Sequence, residues 1–89
     1  MDYQKEFKKT LLSKPHCTLG KQGITEEFIL HVIKLLKRYK IIKIKALKTI
    51  ASKSNIDSIA DEISKLTSSY LLDVRGKIFI LSLKPIKEN

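Results

Sequence analysis

Between Phe28 and Leu47 the apolar period changes with no linker between its two halves, and few folds accommodate that. Phe28, Ile29, Val32, Ile33, Leu36 and Tyr39 recur at the spacing of one helical face. Two residues later, Ile41-Ile42-Lys43-Ile44-Lys45-Ala46-Leu47 alternates as a half-buried strand does, with Ile42, Ile44 and Ala46 on one side and Lys43 and Lys45 on the other. A helix joined to a strand through Lys40 alone must fold back across it. A sheet covered by helices follows.

The remaining segments fit that plan. Tyr3, Phe7, Leu11 and Leu12 make a short amphipathic helix over residues 3–13, which Lys14-Pro15 ends because a residue preceding proline is pushed out of helical geometry. His16 to Leu19 reads as a brief strand. Thr25 is a suitable cap for the central helix, and Glu26 and Glu27 suit the positive end of its dipole. Lys48 to Ser54 is a polar connection. A third helix is capped by Ser54 or Asn55 and buries Ile56, Ile59, Ala60, Ile63 and Leu66. Tyr70 to Val74 and Ile78 to Leu83 flank Arg75-Gly76-Lys77 as a terminal hairpin. The predicted order is helix, strand, helix, strand, helix, strand, strand: a single α/β domain over residues 1–89 with a four-stranded mixed sheet.

A domain of 89 residues needs most of its apolar side chains for the core, which argues against an elaborate enclosed active site. The charge balance says more. Eighteen Lys and Arg against nine Asp and Glu leave a net charge of +9, a self-repulsion that a polyanionic partner relieves. Sixteen of those cations are Lys, which meet phosphates as mobile point charges, and only Arg38 and Arg75 offer a planar fork. Recognition of backbone and shape is favoured over strict reading of bases.

Two features localise the contact. Gly20-Lys21-Gln22-Gly23 joins the first strand to the N-terminus of the central helix. Glycine at both ends lets the backbone turn tightly and approach a ligand, and helix N-termini favour anions. Alone, such a loop is more often a turn than a site. The second feature is an acid-free run from Lys34 to Lys53 holding eight cations, namely Lys34, Lys37, Arg38, Lys40, Lys43, Lys45, Lys48 and Lys53. Solvated surfaces usually mix signs, so this run reads as a binding face on the wet sides of the helix and strand, with His31 beside it.

Other chemistry is poorly supported. His16 and His31 have no companions at metal-ligand spacing, and Cys17, the single cysteine, has no evident base. No cofactor and no metal are expected. Asp57, Asp61 and Glu62 read as solubilising charge on the third helix, and the aromatic residues sit mostly at core spacing, which gives no platform for splayed bases. With no apolar run long enough to span a membrane and no disulfide framework, a cytoplasmic protein without a membrane partner is expected.

Lys14-Pro15, Gly20-Lys21-Gln22-Gly23-Ile24-Thr25 and Ile41-Ile42-Lys43-Ile44-Lys45, in that order and followed by a strand-Gly-strand unit, resemble the CRM-domain, or YhbY, family. The resemblance implies a fold like the C-terminal domain of translation initiation factor three and an RNA-binding role for Gly20, Lys21, Gln22 and Gly23. It also implies structured RNA as partner, ribosomal RNA or a pre-ribosomal particle above all, since stand-alone members are similar to large-subunit assembly factors. His31, Lys34, Lys37, Arg38, Lys43 and Lys45 extend that interface on grounds of charge. Two other classes compete. In a winged-helix DNA-binding reading, Ile56 to Thr67 would be the recognition helix, yet it carries Asp57, Asp61 and Glu62. An enzyme such as a nuclease lacks paired carboxylates on a basic surface.

Overall fold

The computed structural model describes residues 3–48 and 55–84. Their elements are α1 (Tyr3–Leu12), β1 (Cys17–Leu19), α2 (Glu26–Tyr39), β2 (Ile41–Ala46), α3 (Ile56–Leu66), β3 (Tyr70–Arg75) and β4 (Ile78–Ser82). Order and type agree with the periodicity. Each boundary falls within a residue or so of its expected place, where cap geometry rather than hydropathy decides. Of the cap candidates, Asn55 stands at the N-cap of α3. Ser54, with most of the expected Lys48 to Ser54 connection, lies outside the described residues, as does Lys53 of the cationic run.

The strands form one sheet in the order β1-β2-β4-β3. β1 runs parallel to β2 with Cys17 opposite Ile44 and Leu19 opposite Ala46, so α2 is the crossover between them. β4 lies antiparallel to both β2 and β3. The hairpin closes through Gly76, whose φ of 59° suits the first position of a two-residue turn between the paired Arg75 and Ile78. The sheet is therefore mixed, as expected.

One face of the sheet meets α2 and α3. Ile42, Ile44 and Ala46 from β2 and Phe79 and Leu81 from β4 pack with Leu19, Val32, Leu36, Ile56, Ala60 and Ile63 in a continuous core. Leu35 joins its edge, although the sequence pattern did not single it out. Three side chains assigned to the apolar faces of helices are instead open: Leu12 is 90% exposed, Tyr39 42% and Leu66 50%. Each is the last residue of its helix.

The other sheet face is not simply wet. Ile41 and Ile80 are buried there, and α1 packs over β2. Lys43, expected in solvent, is half-buried. Its Nζ donates to the carbonyls of Leu11 at 2.9 Å and Ser13 at 2.8 Å, where a helix C-terminus has unsatisfied acceptors and negative dipole. A single lysine on β2 thus ties the first helix to the sheet. Lys45, the next residue on that face, stays exposed.

Phe79 is fully buried at the centre of the core, whereas Phe28 is half-buried at its rim. Phe79→Ala should cost about 3–5 kcal/mol and leave little folded domain, and Phe28→Ala should cost distinctly less. Urea denaturation followed by circular dichroism tests the ordering.

Candidate nucleic-acid interface

The glycine loop is a tight turn. The Gly23 N–H donates to the Gly20 carbonyl at 3.0 Å, which leaves Lys21 and Gln22 exposed at the tip. Gly23 has a φ of 73°, a conformation that side-chain-bearing residues rarely adopt. Gly20 differs: its φ lies outside the left-handed range, and an added Cβ would meet nothing within 4 Å. Neither conformation nor internal packing accounts for glycine there.

Immediately beyond the turn, Thr25 caps α2. Its Oγ1 accepts the Phe28 N–H at 3.1 Å, and its carbonyl accepts from Ile29 at 3.0 Å. The first-turn amides of Glu26 and Glu27 have no intrahelical acceptor, which is the source of the positive potential at a helix start. Gly20, Lys21, Gln22, Gly23, Thr25 and Phe28 surround an open hollow of about 280 Å³. Glu26 and Glu27 are solvent-exposed.

The charged residues expected on α2 are where the helical period puts them. His31, Lys34 and Arg38 recur at intervals of three and four, so they stand on one line along the helix, with Lys37 on the adjoining row. All four are exposed. Ion pairs elsewhere do not use them: among the described residues the pairs are Lys65 with Asp61 and Arg75 with Asp73. Lys45 is open on β2, while Lys43 is engaged with α1 as described.

His16, which has no companion at metal-ligand spacing in the sequence, finds its partners on β2 and α2. Its backbone N–H donates to the Lys43 carbonyl at 2.7 Å, extending the β1–β2 pairing by a residue, and its Nδ1 accepts the Lys43 N–H at 3.0 Å. Burial lowers the ring's pKa below its usual 6.5, and the Lys43 charge acts in the same direction. Protonation would also turn Nδ1 from an acceptor into a donor aimed at another N–H. The ring packs at 4.8 Å between centroids against Tyr39, and the Arg38 guanidinium lies 5.3 Å from the centre of the tyrosine ring. This group was missed because helical spacing assigned Tyr39 to the core.

Burial pushes the Cys17 thiol up to about 11, a value that keeps it protonated and unreactive at neutral pH. No group of three or more metal-ligating side chains comes together among the described residues, and none of their helices is long and apolar enough to cross a membrane.

The CRS1 / YhbY (CRM) domain model matches residues 4–81. The chain belongs to the CRM family. That makes it one of a family of RNA-binding domains. The solution structure of a Staphylococcus aureus protein, described as a candidate RNA-binding protein, is similar to this CRM domain in fold. The two superpose with a TM-score of 0.74 at 24% identity, over 99% of this chain and 88% of that one. No curated protein matches the chain. The winged-helix alternative fails on architecture: α2 is the crossover between parallel β1 and β2 in a four-stranded mixed sheet, and the supposed recognition helix, α3, carries Asp57, Asp61 and Glu62 on its exposed side.

The His16 geometry sets a pH dependence. Its folded-state pKa is depressed, so its contribution to stability is complete above about pH 6.5 and is lost as the pH falls from there through the lowered value. His16→Asn keeps an acceptor but cannot titrate. Between about pH 7.5 and about pH 5 the wild-type melting temperature should drop further than that of the variant. Equal drops would show that the ring is not held neutral.

Proposed function

We propose that this CRM domain is a binding module, not an enzyme, that clamps the backbone of structured RNA at Gly20-Lys21-Gln22-Gly23. The exposed cations of α2 and β2 act as a second anchor. The observation that most supports this reading is Gly20, a residue whose missing side chain serves no purpose inside the fold. An RNA backbone drawn close to the turn gives it one: a Cβ at Gly20 would project into the space that sugar and phosphate occupy. Lys21 then meets a phosphate as a point charge, and the unpaired amides at the start of α2 add a favourable dipole. Glu26 and Glu27 confine the anion to the loop side of the helix start, since phosphate beyond it would meet two carboxylates.

From the loop a basic line, Lys34 and Arg38 with His31 before them and Lys37 beside them, leads down α2. Such contacts fix position without reading sequence. Lys43 is committed to α1, so its part in this reading is to shape the surface. The RNA is ribosomal, within a precursor of the large subunit. That assignment rests on the likeness of the loop and strand blocks to assembly-factor members of the family. Such a role places the domain in the cytoplasm and requires no cofactor.

Two measurements test the clamp. Replacing Lys21 and Gln22 together by Asp should leave the melting curve near wild type, because both are exposed at a turn, and should weaken binding to a structured ribosomal RNA fragment at least about tenfold. Gly20→Ala should likewise fold normally yet bind less tightly; unchanged affinity in both variants would reduce the loop to a connection. Second, Lys21, Lys34, Lys37, Arg38, Lys45 and Lys48 are all exposed. If these six meet phosphates, the logarithm of affinity should fall against the logarithm of salt with a slope of about −4 to −5. A slope near zero would sink an electrostatic grip.

A further inference from the structure

The far end of α2 holds an arrangement that phosphate contact does not explain. Tyr39 closes the helix with 42% of its surface exposed. Its ring leans on His16 at 4.8 Å and 57°, and the Arg38 guanidinium lies over it at 5.3 Å. The lower member is anchored, because both the backbone and the Nδ1 of His16 are hydrogen-bonded to the backbone of Lys43. The upper member is open. Arg38 is exposed and makes no ion pair among the described residues.

An anchored imidazole, an exposed phenol ring tilted at 57° against it and a guanidinium over that ring make a column with the chemistry of a nucleobase platform. Every base has a π-face, so such a column accepts any base that has left its helix, and a guanidinium plane serves as well as a ring. The surroundings suit the attached phosphates: Lys14 and Lys37 are exposed nearby in sequence, and the first acid after Glu27 is Asp57.

We propose that the His16–Tyr39–Arg38 column stacks an unpaired nucleobase of the bound RNA, as a second contact at the opposite end of α2 from the glycine loop. This rests on the RNA-binding reading above. The fourteen residues of α2 separate the two ends by about 20 Å at 1.5 Å per residue. The preferred ligand accordingly pairs a backbone held at the loop with a single-stranded or bulged nucleotide at Tyr39. The loop gives grip, and the column gives a preference for RNA that is locally unpaired.

The test uses the full chain and two fluorescein-labelled RNAs, a paired hairpin closed by a tight tetraloop whose bases are stacked on one another and the same hairpin with a single-stranded uridine tail, in anisotropy titrations. Tyr39→Leu keeps apolar bulk and removes the π-face. It should weaken binding of the tailed RNA about tenfold and change binding of the paired hairpin by less than about twofold. Tyr39→Trp should restore the tailed affinity. It also introduces the only tryptophan of the chain, whose emission should be quenched by the tailed RNA and not by the hairpin. If Tyr39→Leu and wild type bind the tailed RNA equally while the Lys21/Gln22 double variant weakens both RNAs, the column is packing at a helix end and the clamp stands alone. Absence of any RNA binding by wild type would overturn clamp and column together. Should Tyr39→Leu fail to fold, an unquenched tryptophan in a Tyr39→Trp protein bound to the tailed RNA overturns the proposal by itself.

Discussion

The structure depends on the backbone pairing of β2, which is hydrogen-bonded on both edges and covered on both faces. Its parallel partner β1 delivers the glycine loop, and its antiparallel partner β4 brings Phe79 and Leu81 to the core. At its entrance Lys40 stands with a φ of 72°, donating its N–H to the Leu36 carbonyl at 2.9 Å and accepting the Leu83 N–H at 2.9 Å. A residue with a side chain pays about 1 kcal/mol or more to sit there. The return is a reversal from helix to strand in one residue, which fixes how α2 lies across the sheet. Both ends of α2, and so the loop and the aromatic column, are positioned by that junction.

Much of this was legible in the sequence because periodicity reports burial directly. Val32 and Leu36 on α2, and Ile42, Ile44 and Ala46 on β2, are all inside, as their spacing required. The turn at Gly76 was equally plain, since a glycine between two alternating runs has few other uses. Periodicity does not report where along an element burial stops. Tyr39 and Leu66 keep the phase of the buried stripe and are nevertheless open, each at the last residue of its helix. Alternation likewise marks two faces without saying what lies on the second. Lys43 reads as solvent-facing on a strand whose other face is bare, and the docking of α1 changes that. No local pattern announces this contact, because it joins residues 32 apart in sequence.

For the candidate site, residue types were readable and roles were not. The loop, the cationic line on α2 and Lys45 emerge as exposed groups of one sign, which is a property of composition and helical spacing. His16 is the instructive failure. It has no partner in sequence, and its partners in space are the backbone of β2 and a ring at the end of α2. Both arise only once β1 has paired with β2. A pairing of that kind needs the sheet register, and the register is fixed by contacts from all parts of the chain.

The distribution of charge explains why, in a protein with a net charge of +9, Lys34, Lys37 and Arg38 stand on α2 without an ion pair among the described residues. No acid lies between Glu27 in the first turn of α2 and Asp57 on α3, so the cations from Lys34 onward on α2 and β2 have no acidic neighbour along their own elements. Dispersed acids would have formed surface pairs with Lys34, Lys37 and Arg38. Each such pair would contribute little to stability and would have to be broken before a phosphate could bind. Segregation lowers that cost of exchange. Repulsion among the like charges then disfavours the free state slightly more than the bound one, and neutralising them on a polyanion relieves it. The fold thus tolerates a strained electrostatic surface because its stability comes from the apolar core between α2, α3 and the sheet.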